Sequence, residues 1–443
     1  MVAKAFPKGP APASGSLRCV SVSEHRSEFR APPGTHDVLP PESARWERLV
    51  ALFARRAGLA GFQLVVSPMF EDLAVFQRVG EETDVVRKEM YDFLDKGGRR
   101  VALRPEGTAP VVRAFVQHRP LVPFKSWYAA PSFRYERPQA GRYRQHHQLG
   151  VEALGTEDPE LDVEVIALAV GVLRAVGLAT VTLLLNSLGD DACRPSYLAS
   201  LRAFLEARAD QLCDEHRERA AANPLRVLDC KRPACVATTA DAPRLVDHLC
   251  GPCAEHFRRV RAGLGALGIE GRIEPRLVRG LDYYTRTTFE LQSPALDAAQ
   301  NALGGGGRYD KLVEALGGPP TPGIGFGLGI ERILLAADAE DVFPAPSSTV
   351  DVWVVDTTGG AAATLLAHEL RAAGVACDRS FDDRSMKAQL KAADRAGARL
   401  AVIVGEREAA AGTVTLRDLG RGEQEEIARG DLLDHVGKRL AGG

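Results

Sequence analysis

Four arginines lie within eleven positions of the segment SFRYERPQAGRYRQHHQLG, residues 132–150: Arg134, Arg137, Arg142 and Arg144. A guanidinium can bind phosphate oxygens through two parallel hydrogen bonds, and it keeps its charge at physiological pH. The spacing therefore predicts a clamp for a phosphate-bearing substrate. The alternative is a solvent-exposed basic hairpin that binds nothing.

Glu136 follows Arg134 by two positions. If this segment is a strand, both side chains face the same side, because strand side chains alternate between faces. The Glu136 carboxylate could then orient the Arg134 guanidinium or accept hydrogen bonds from the edge of a base. This favours the phosphate clamp over the exposed hairpin.

Two glycine-rich segments could let a flat ligand or a second backbone approach closely. They are GIGFGLGIERI, residues 323–333, and NALGGGGRYDKL, residues 301–312. The first does not complete a G-x-G-x-x-G dinucleotide motif, and the chain has no GxxxxGK[ST] phosphate loop. The alternatives are glycines that serve only strand packing in the first segment, and a mobile loop in the second.

The stretch LVRGLDYYTRTTFE, residues 277–290, has the alternation of a strand but carries Arg279, Tyr283 and Tyr284. A strand that only filled a core would not carry an arginine beside two tyrosines. The arginine and the two tyrosines therefore indicate that something binds beside this stretch. The alternative for the tyrosines is aromatic core filling.

Four of the eight cysteines are paired in sequence. Four residues separate Cys230 from Cys235, two separate Cys250 from Cys253, and fourteen separate the two pairs. This is close to the spacing of a zinc ribbon, so the pattern predicts a structural Zn²⁺ held by these four thiolates. The alternative is four free thiols packed in a small core.

Composition sets wide limits. The chain has 443 residues, 45% hydrophobic and 26% charged, with a formal net charge of −2, as expected for a globular protein of two to four domains. No apolar run approaches the length of a membrane helix, and the first residues do not resemble a secretory signal. We therefore expect a cytoplasmic protein that does not contact a membrane, with reduced cysteines.

Periodicity divides the chain into four parts. Residues 1–30, rich in Ala, Pro, Ser and Gly, predict a disordered extension. Residues 31–345 mix strands and helices, beginning with a helix that carries Leu49, Phe53 and Ala57 on one face. A helical, cysteine-rich insertion interrupts this part at about 190–260. After a linker, residues 350–443 alternate strand and helix, which is typical of a small α/β domain.

Three separated segments resemble the signature motifs of class II aminoacyl-tRNA synthetases. GFQLVVSPMF resembles motif 1, FRYE with its basic loop resembles motif 2, and GFGLGIER resembles motif 3. LVRGLDYYTRTTFE and ALGGGGRYD are similar to the two signatures of the histidyl-tRNA synthetase family, and RPEGTAPVVR and RYRQHHQLGVEALG agree with them. The resemblance runs from about residue 31 to the end. It implies an α+β fold: an antiparallel-sheet catalytic domain with a helical insertion, plus a C-terminal α/β anticodon-binding domain.

The resemblance also implies roles for individual residues. Arg134 and Arg279 would be catalytic; both would touch the α-phosphate of ATP and the bound histidine, and Arg332 would hold the far phosphates. Glu136 and Arg142 would complete the ATP site, with Arg142 near ATP or the tRNA end. Glu152 and Tyr284 would bind the two imidazole nitrogens. The remaining implied site residues shape the pocket or hold the ammonium group: Glu106, Thr108, Gln148, Tyr283 and Tyr309.

The implied reaction joins L-histidine to tRNA(His) through a histidyl-adenylate, with ATP and Mg²⁺, in a homodimer. A second reading also remains open. A relative of this fold that lacks catalysis serves as a histidine-sensing regulatory subunit of ATP phosphoribosyltransferase. Such proteins usually lose the arginines and the C-terminal domain, whereas this chain has Arg134, Arg279 and Arg332 and extends beyond residue 350. A third reading, a kinase-associated regulatory module, would need further domains for which the chain has no room.

Overall fold

The computed structural model describes residues 29–80, 83, 85–278, 280, 283–296, 301–346, 350–382 and 384–442. The predicted extension over residues 1–30 thus lies almost wholly outside the described residues. The strands are β1 (Gln63–Leu64), β2 (Phe70–Asp72), β3 (Asp92–Leu94), β4 (Arg100–Leu103), β5 (Phe124–Phe133), β6 (Gln145–Leu154), β7 (Thr182–Ser187), β8 (Gly271–Ile273), β9 (Thr285–Gln292), β10 (Ala302–Arg308), β11 (Gly323–Gly329), β12 (Val352–Asp356), β13 (Cys377–Arg379), β14 (Leu400–Val404), β15 (Thr413–Asp418) and β16 (Gln424–Ala428).

The α-helices connect these strands and cover their sheets. They are α1 (Glu42–Leu59), α2 (Leu73–Gly80), α3 (Thr108–His118), α4 (Pro159–Val176), α5 (Arg194–Glu206), α6 (Asp214–Arg219), α7 (Leu225–Leu228), α8 (Pro233–Thr238), α9 (Gly251–Ala266), α10 (Leu312–Ala315), α11 (Ile330–Ala339), α12 (Ala361–Ala372), α13 (Met386–Arg395), α14 (Glu406–Ala411) and α15 (Leu432–Ala441). A π-helical turn spans Val85–Glu89. None of the described helices is long and apolar enough to cross a membrane.

An eight-stranded sheet forms the centre of the first domain, in the order β1-β5-β6-β11-β10-β9-β7-β8. Its inner pairs are antiparallel, and only the outer pairs β1-β5 and β7-β8 are parallel. Strands β2, β4 and β3 form a separate three-stranded sheet, in that order. They lie between β1 and β5 along the chain. The predicted α+β fold with an antiparallel catalytic sheet is confirmed.

One face of this sheet is the main hydrophobic core. Leu149, Val151 and Ala153 alternate along β6 and pack in the same cluster as α1, α4, α9 and α11. Fully burying one such leucine or valine stabilises the fold by about 1.5–3 kcal/mol. The residues that alternate with them along β6, Gln148, Gly150 and Glu152, must therefore point to the opposite face.

The first helix begins at Glu42 and buries Leu49, Phe53 and Ala57, as their spacing predicts. Arg45 is buried on the same helix. Its Nε donates to the carbonyl of Phe343 at 2.7 Å, and its Nη1 lies 2.6 Å from Asp338. These bonds fix α1 against α11 and the segment that follows it.

The segment with four consecutive glycines is the strand β10, not a mobile loop, because Gly304 to Arg308 pair with β11 on one side and β9 on the other. At its end Arg308 is fully buried, and its Nε donates to Asp162 of α4 at 3.1 Å. Arg308 therefore ties the sheet to its covering helix.

The prediction of strand structure across residues 277–290 is only half right. Strand β9 begins at Thr285, and the described part of 277–284 is irregular, with Tyr283 in a turn. Arg286, within the strand, has a φ of 44°, which is outside the extended region. The alternation in the sequence thus begins before the hydrogen-bonded strand does, at Thr285.

Helices α5 to α9 lie between β7 and β8, so the cysteine-rich segment is helical as predicted. The C-terminal part has a five-stranded sheet in the order β13-β12-β14-β15-β16. Strands β12, β13 and β14 are parallel, while β15 and β16 are antiparallel neighbours at one edge. The sequence predicted β12 to β15 here, but not α14 or β16.

Candidate active site

A cavity of about 360 Å³ opens on the sheet face opposite the main core. The predicted residues that line it come from the start of α3, the β5–β6 connection, β6, the segment before β9, and α11. They are Glu106, Thr108, Arg134, Glu136, Arg142, Gln148, Tyr283, Tyr284 and Arg332. Arg279 lies outside the described residues.

The floor of the cavity is made by strands with no side chain on that face. Ile324, Phe326 and Leu328 of β11 point into the main core, so Gly325 and Gly327 face the cavity. A methyl group at Gly325 would overlap the Glu152 carboxylate of the neighbouring strand. The alternating glycines therefore create the space that Glu152 and a ligand occupy.

Glu152 is fully buried beside Thr108 and Tyr128, two residues that line the cavity. Its carboxylate accepts hydrogen bonds from Thr108 Oγ1 at 2.8 Å, from the Tyr128 hydroxyl at 3.2 Å, and from the Tyr309 hydroxyl. Burial raises the pKa of Glu152 to about 8. The pocket thus holds one carboxyl group in a fixed orientation, ready to accept from a ligand donor.

Glu106 lies two residues before Thr108, the first residue of α3. Its carboxylate accepts from the backbone N–H groups of Thr108 at 2.6 Å and Ala109 at 2.8 Å, where free donors begin a helix. Burial raises the pKa of Glu106. Together with Glu152, it places two carboxyl groups beside the same threonine.

Aromatic rings enclose this polar end. The rings of Tyr283 and Tyr284 lie 4.6 Å apart, and Tyr283 meets Tyr309 edge-on at 5.8 Å. Tyr128 also lines the cavity, and sequence reasoning missed it. It lies on the same face of β5 as Ser132, whose hydroxyl contacts Gln148 at 3.2 Å.

The opposite end of the cavity is cationic. Arg134 Nε donates to the carbonyl of Pro105 at 3.0 Å. Arg332 donates to the carbonyls of Gly141 at 3.1 Å and Ala302 at 2.7 Å. These carbonyls hold two guanidinium groups toward one space, and Arg142 lines the same wall.

Glu136 does not orient Arg134 by strand alternation, as the sequence suggested, because β5 ends at Phe133. Glu136 instead forms an ion pair with Arg142. Although burial opposes it, the hydrogen bond from Arg142 lowers the pKa of Glu136. Burial and the neighbouring Glu136 raise the pKa of Glu89 to about 7. Sequence reasoning gave Glu89 no role.

Two histidines adjoin this wall. The backbone N–H of His147 donates to the Glu331 carboxylate at 3.0 Å, and His147 Nδ1 lies 2.9 Å from the same carboxylate, which anchors the start of α11 to β6. His146 lines the cavity, and burial together with Arg134 lowers its pKa to about 3. His146 is therefore neutral at physiological pH.

The prediction that Cys230, Cys235, Cys250 and Cys253 form one metal site is wrong. The fold places Cys230 and Cys235 with Cys213 and His216, and it places Cys250 and Cys253 with Asp190 and Cys193. The two sequence pairs separate because α8 carries Cys235 whereas α9 carries Cys253. Sequence reasoning missed Cys213 and His216, although their spacing of two intervening residues was a usable signal.

Comparison with known proteins agrees with this geometry. A family model described as Histidyl-tRNA synthetase matches residues 34–333, and one described as Anticodon binding domain matches residues 350–439. A Histidine–tRNA ligase of Rhodococcus erythropolis is 50% identical over 417 residues, covering 93% of this chain and 98% of the relative. One from Moorella thermoacetica is 49% identical over 419 residues, covering 93% and 99%.

The fold has a solved counterpart as well. The crystal structure of the apo histidyl-tRNA synthetase of S. aureus matches with a TM-score of 0.78 and 35% identity, covering 92% of this chain and 99% of that one. Matches of this extent span both domains. The chain belongs to the histidyl-tRNA synthetase family.

Proposed function

We propose that this protein joins L-histidine to tRNA(His) in two steps at the cavity described above. In the first, a histidine carboxylate oxygen attacks the α-phosphorus of ATP, and diphosphate leaves. In the second, a hydroxyl of the terminal ribose attacks the carbonyl carbon, and AMP leaves. The observation that carries this proposal is one cavity with a buried carboxyl and tyrosine end and a three-arginine end.

The carboxyl and tyrosine end suits histidine. Imidazole offers a donor and an acceptor, and we assign Glu152 to the donor and Tyr284 to the other nitrogen. Glu106, Thr108 and Gln148 would receive the ammonium group, with Tyr283 and Tyr309 as walls. A side chain that leaves these buried partners unpaired would be rejected by about 10⁴- to 10⁵-fold, so discrimination needs no editing domain.

The cationic end suits the triphosphate of ATP. Arg134 and Arg279 would contact the α-phosphate and the histidine carboxylate, while Arg142 and Arg332 would hold ATP, Arg332 at its far phosphates. Glu136 supports this by holding Arg142 in place. Glu290 also lines the cavity, and its carboxylate is the oxygen ligand that Mg²⁺ prefers. Magnesium bound with ATP would neutralise phosphate charge.

The first step needs no general base, because the attacking carboxylate is already ionised near neutral pH. What the protein must supply is alignment of the two substrates and positive charge where the phosphoryl oxygens become more negative. Guanidinium groups fixed by backbone carbonyls, such as Arg134 and Arg332, meet the second requirement. Among the described residues lining the cavity there is no cysteine, so a metal bound by the insertion would act on structure.

The C-terminal domain would bind the anticodon of the tRNA. Arg384, Lys387, Lys391 and Arg395 recur every three or four residues along and just before α13, and all four are exposed. Such a stripe can contact phosphates even though the whole chain carries a net charge of −2. An ordinary solvated helix face is the alternative.

We also propose that the protein acts in the cytoplasm as a homodimer. Six exposed apolar side chains lie on β1 to β3 and the segment between β1 and β2; we name them the β1–β3 patch. They are Leu64, Val66, Met69, Phe70, Phe93 and Leu94. Six exposed apolar side chains in two short stretches of the chain favour an interface over scattered exposure.

Histidine charging tests the proposal directly. Purified protein, ATP, Mg²⁺ and labelled histidine should acylate a tRNA(His) transcript, and omission of ATP should abolish the product. A histidine-sensing regulatory subunit would bind histidine but leave the transcript uncharged. Failure to charge by a folded, histidine-binding protein would therefore replace the ligase proposal with that reading.

A further inference from the structure

The insertion contains a group of four side chains that the active site does not use. Ligand atoms of Cys213, His216, Cys230 and Cys235 all lie within 4.8 Å of one another. Cys213 immediately precedes α6, His216 lies in that helix, Cys230 follows α7, and Cys235 lies in α8. Three sulfurs and one imidazole nitrogen thus converge from three short helices.

The donor set and its spacing suit zinc. Structural zinc sites are tetrahedral, with sulfur at about 2.3 Å and nitrogen at about 2.0–2.1 Å, so their ligand atoms lie about 3.5–3.8 Å apart. Shifts of about 1 Å reach that geometry, because the widest pairs must close from at most 4.8 Å while Cys213 Sγ and His216 Nδ1 must open from 3.0 Å. Two residues separate Cys213 from His216, and this pair lies at the start of α6. Four residues separate Cys230 from Cys235, and α8 begins between them.

Hydrogen-bond donors and a guanidinium surround the sulfur atoms. The backbone N–H of Cys213 donates to Cys235 Sγ at 3.3 Å, and His216 Nδ1 lies 3.0 Å from Cys213 Sγ. Arg232 interacts with Cys213 and lies 3.4 Å from Glu215. Three thiolates and Zn²⁺ carry a net charge of −1, which an N–H donor and a guanidinium can balance.

The local fold gives such an ion a structural purpose. Helices α6, α7 and α8 have six, four and six residues, lengths at which a helix is not stable by itself. Cys230 and Cys235 occupy core positions there, beside Val227, Leu228 and Leu245. A metal bound by residues of all three helices would supply the stability that so short a segment cannot gain by burying apolar area.

We propose that Cys213, His216, Cys230 and Cys235 bind one structural Zn²⁺ that holds α6, α7 and α8 together. None of the four proposed ligands lines the active-site cavity, although Lys231, which follows Cys230, does. Loss of zinc would therefore disturb the insertion first.

The neighbouring group of Asp190, Cys193, Cys250 and Cys253 is a natural comparison. Asp190 Oδ1 already accepts from the backbone of Ala192 at 3.0 Å and from the Cys193 thiol at 3.4 Å, and its Oδ2 lies 3.9 Å from Arg286. This carboxylate has partners without a metal. This second group also contains three cysteines, but its carboxylate is already paired without an ion.

Zinc content of tag-free full-length protein, measured by inductively coupled plasma mass spectrometry, tests the proposal. The Cys230→Ser/Cys235→Ser variant should lose one zinc per chain relative to the unsubstituted protein. Cys250→Ser/Cys253→Ser and Cys377→Ser, a buried cysteine of the C-terminal domain, should keep that zinc. Equal zinc content in the unsubstituted protein and the Cys230→Ser/Cys235→Ser variant, including none in either, would overturn it.

Two further measurements keep the test valid if the serine variant fails to fold. His216→Cys should retain zinc, because a fourth thiolate completes an equivalent tetrahedral site. Zinc X-ray absorption of the Cys250→Ser/Cys253→Ser protein should show three sulfurs near 2.3 Å and one nitrogen. A shell of oxygen and nitrogen only would mark adventitious zinc and refute the site.

Discussion

At the scale of single residues, the active site depends on a carboxyl group held where water does not reach. Glu152 is surrounded by hydroxyl groups of Thr108, Tyr128 and Tyr309, and no cation contacts it among the described residues. A buried carboxyl with neutral partners is easier to protonate than one in water. A ligand that donates a hydrogen bond to Glu152 would favour its ionised form. Recognition of imidazole would therefore be coupled to the protonation of Glu152.

This coupling predicts a pH effect on stability. The ordinary pKa of 4.5 for Glu152 rises to about 8 in the folded protein through burial. Between these values the folded state holds a proton that the unfolded state has lost. The stabilisation is therefore complete below the lower value and is lost as pH rises through the higher one. Glu152→Gln removes the group, so the free energy of unfolding of the unsubstituted protein should fall relative to the variant, by up to about 1.4 kcal/mol per pH unit.

Urea unfolding without histidine, at several pH values between about 5 and about 8, measures this difference. The isosteric amide keeps the shape of the pocket, so the two proteins differ chiefly in the titrating proton. Parallel stability profiles would show that Glu152 is ionised in the empty pocket.

A second prediction at this scale concerns Arg279. If Arg279 contacts the α-phosphate and the substrate carboxylate, Arg279→Ala should lower histidine-dependent ATP–diphosphate exchange by at least about 10²- to 10³-fold, because a fixed donor to developing charge is lost. The circular dichroism spectrum should not change. Arg272→Ala, an exposed arginine on β8, is the matched control and should keep full exchange. Near-normal exchange by Arg279→Ala would contradict the proposed role.

At the scale of elements, the site exists because adjacent strands lack side chains on one face. Strands β10 and β11 place glycines opposite one another, at Gly305 with Gly327 and at Gly307 with Gly325. Along β11, Ile324, Phe326 and Leu328 alternate with the glycines and lie in the main core, whereas β10 has glycine at all four positions from 304 to 307. The same alternation therefore builds the core and leaves room for the ligand.

Gly325→Ala tests this arrangement. The new methyl group would overlap Glu152, and both the carboxylate and the strand backbone would have to shift. We expect histidine binding, measured by calorimetry, to weaken at least about 10-fold, with destabilisation of about 1–3 kcal/mol from overpacking. Gly58→Ala on α1 has no atom within 4 Å of the new methyl group and should stabilise the fold by about 0.5–1 kcal/mol. Undiminished histidine binding by Gly325→Ala would show that the pocket tolerates a side chain there.

Period-two alternation is visible along β6 and β11, but the α+β class and the residues of this cavity were predicted from the resemblance of the motifs to the histidyl-tRNA synthetase family. The sequence did not show where β5 ends or β9 begins, since these limits depend on neighbouring strands. Tyr128 was missed because its partners, Thr108 and Glu152, come from other elements. The cysteine pairing was wrong for the same reason: spacing relates neighbours in sequence, whereas helix packing decides which pairs meet.

At the scale of the whole molecule, two units are joined in one chain: an α+β unit with an eight-stranded catalytic sheet and an α/β unit with a five-stranded sheet. The first provides the cavity and the second an exposed basic helix. A reaction with one small substrate would need only the first unit. The combination therefore fits a substrate large enough to reach both, as a tRNA is.

The proposed homodimer also belongs to this scale. Val66 and Phe70 of the β1–β3 patch are 84% and 56% exposed in the single chain. If the patch is the interface, Val66→Asp/Phe70→Asp should weaken the dimer at least about 100-fold, because buried charges without partners are costly. Sedimentation velocity over a range of concentrations measures this. Leu365 is a similarly exposed leucine of the C-terminal domain, so Leu365→Asp should leave the dimer intact. If both variants sediment alike, the interface lies elsewhere.

The most direct test of the central claim is ATP–diphosphate exchange with each of the twenty amino acids in the absence of tRNA. The proposed chemistry predicts exchange with histidine alone, because only imidazole satisfies both Glu152 and Tyr284 beside a phosphate-binding wall. Absence of exchange from folded protein that still binds histidine would contradict it, and would show that the arginines of this cavity serve a regulatory rather than a catalytic protein.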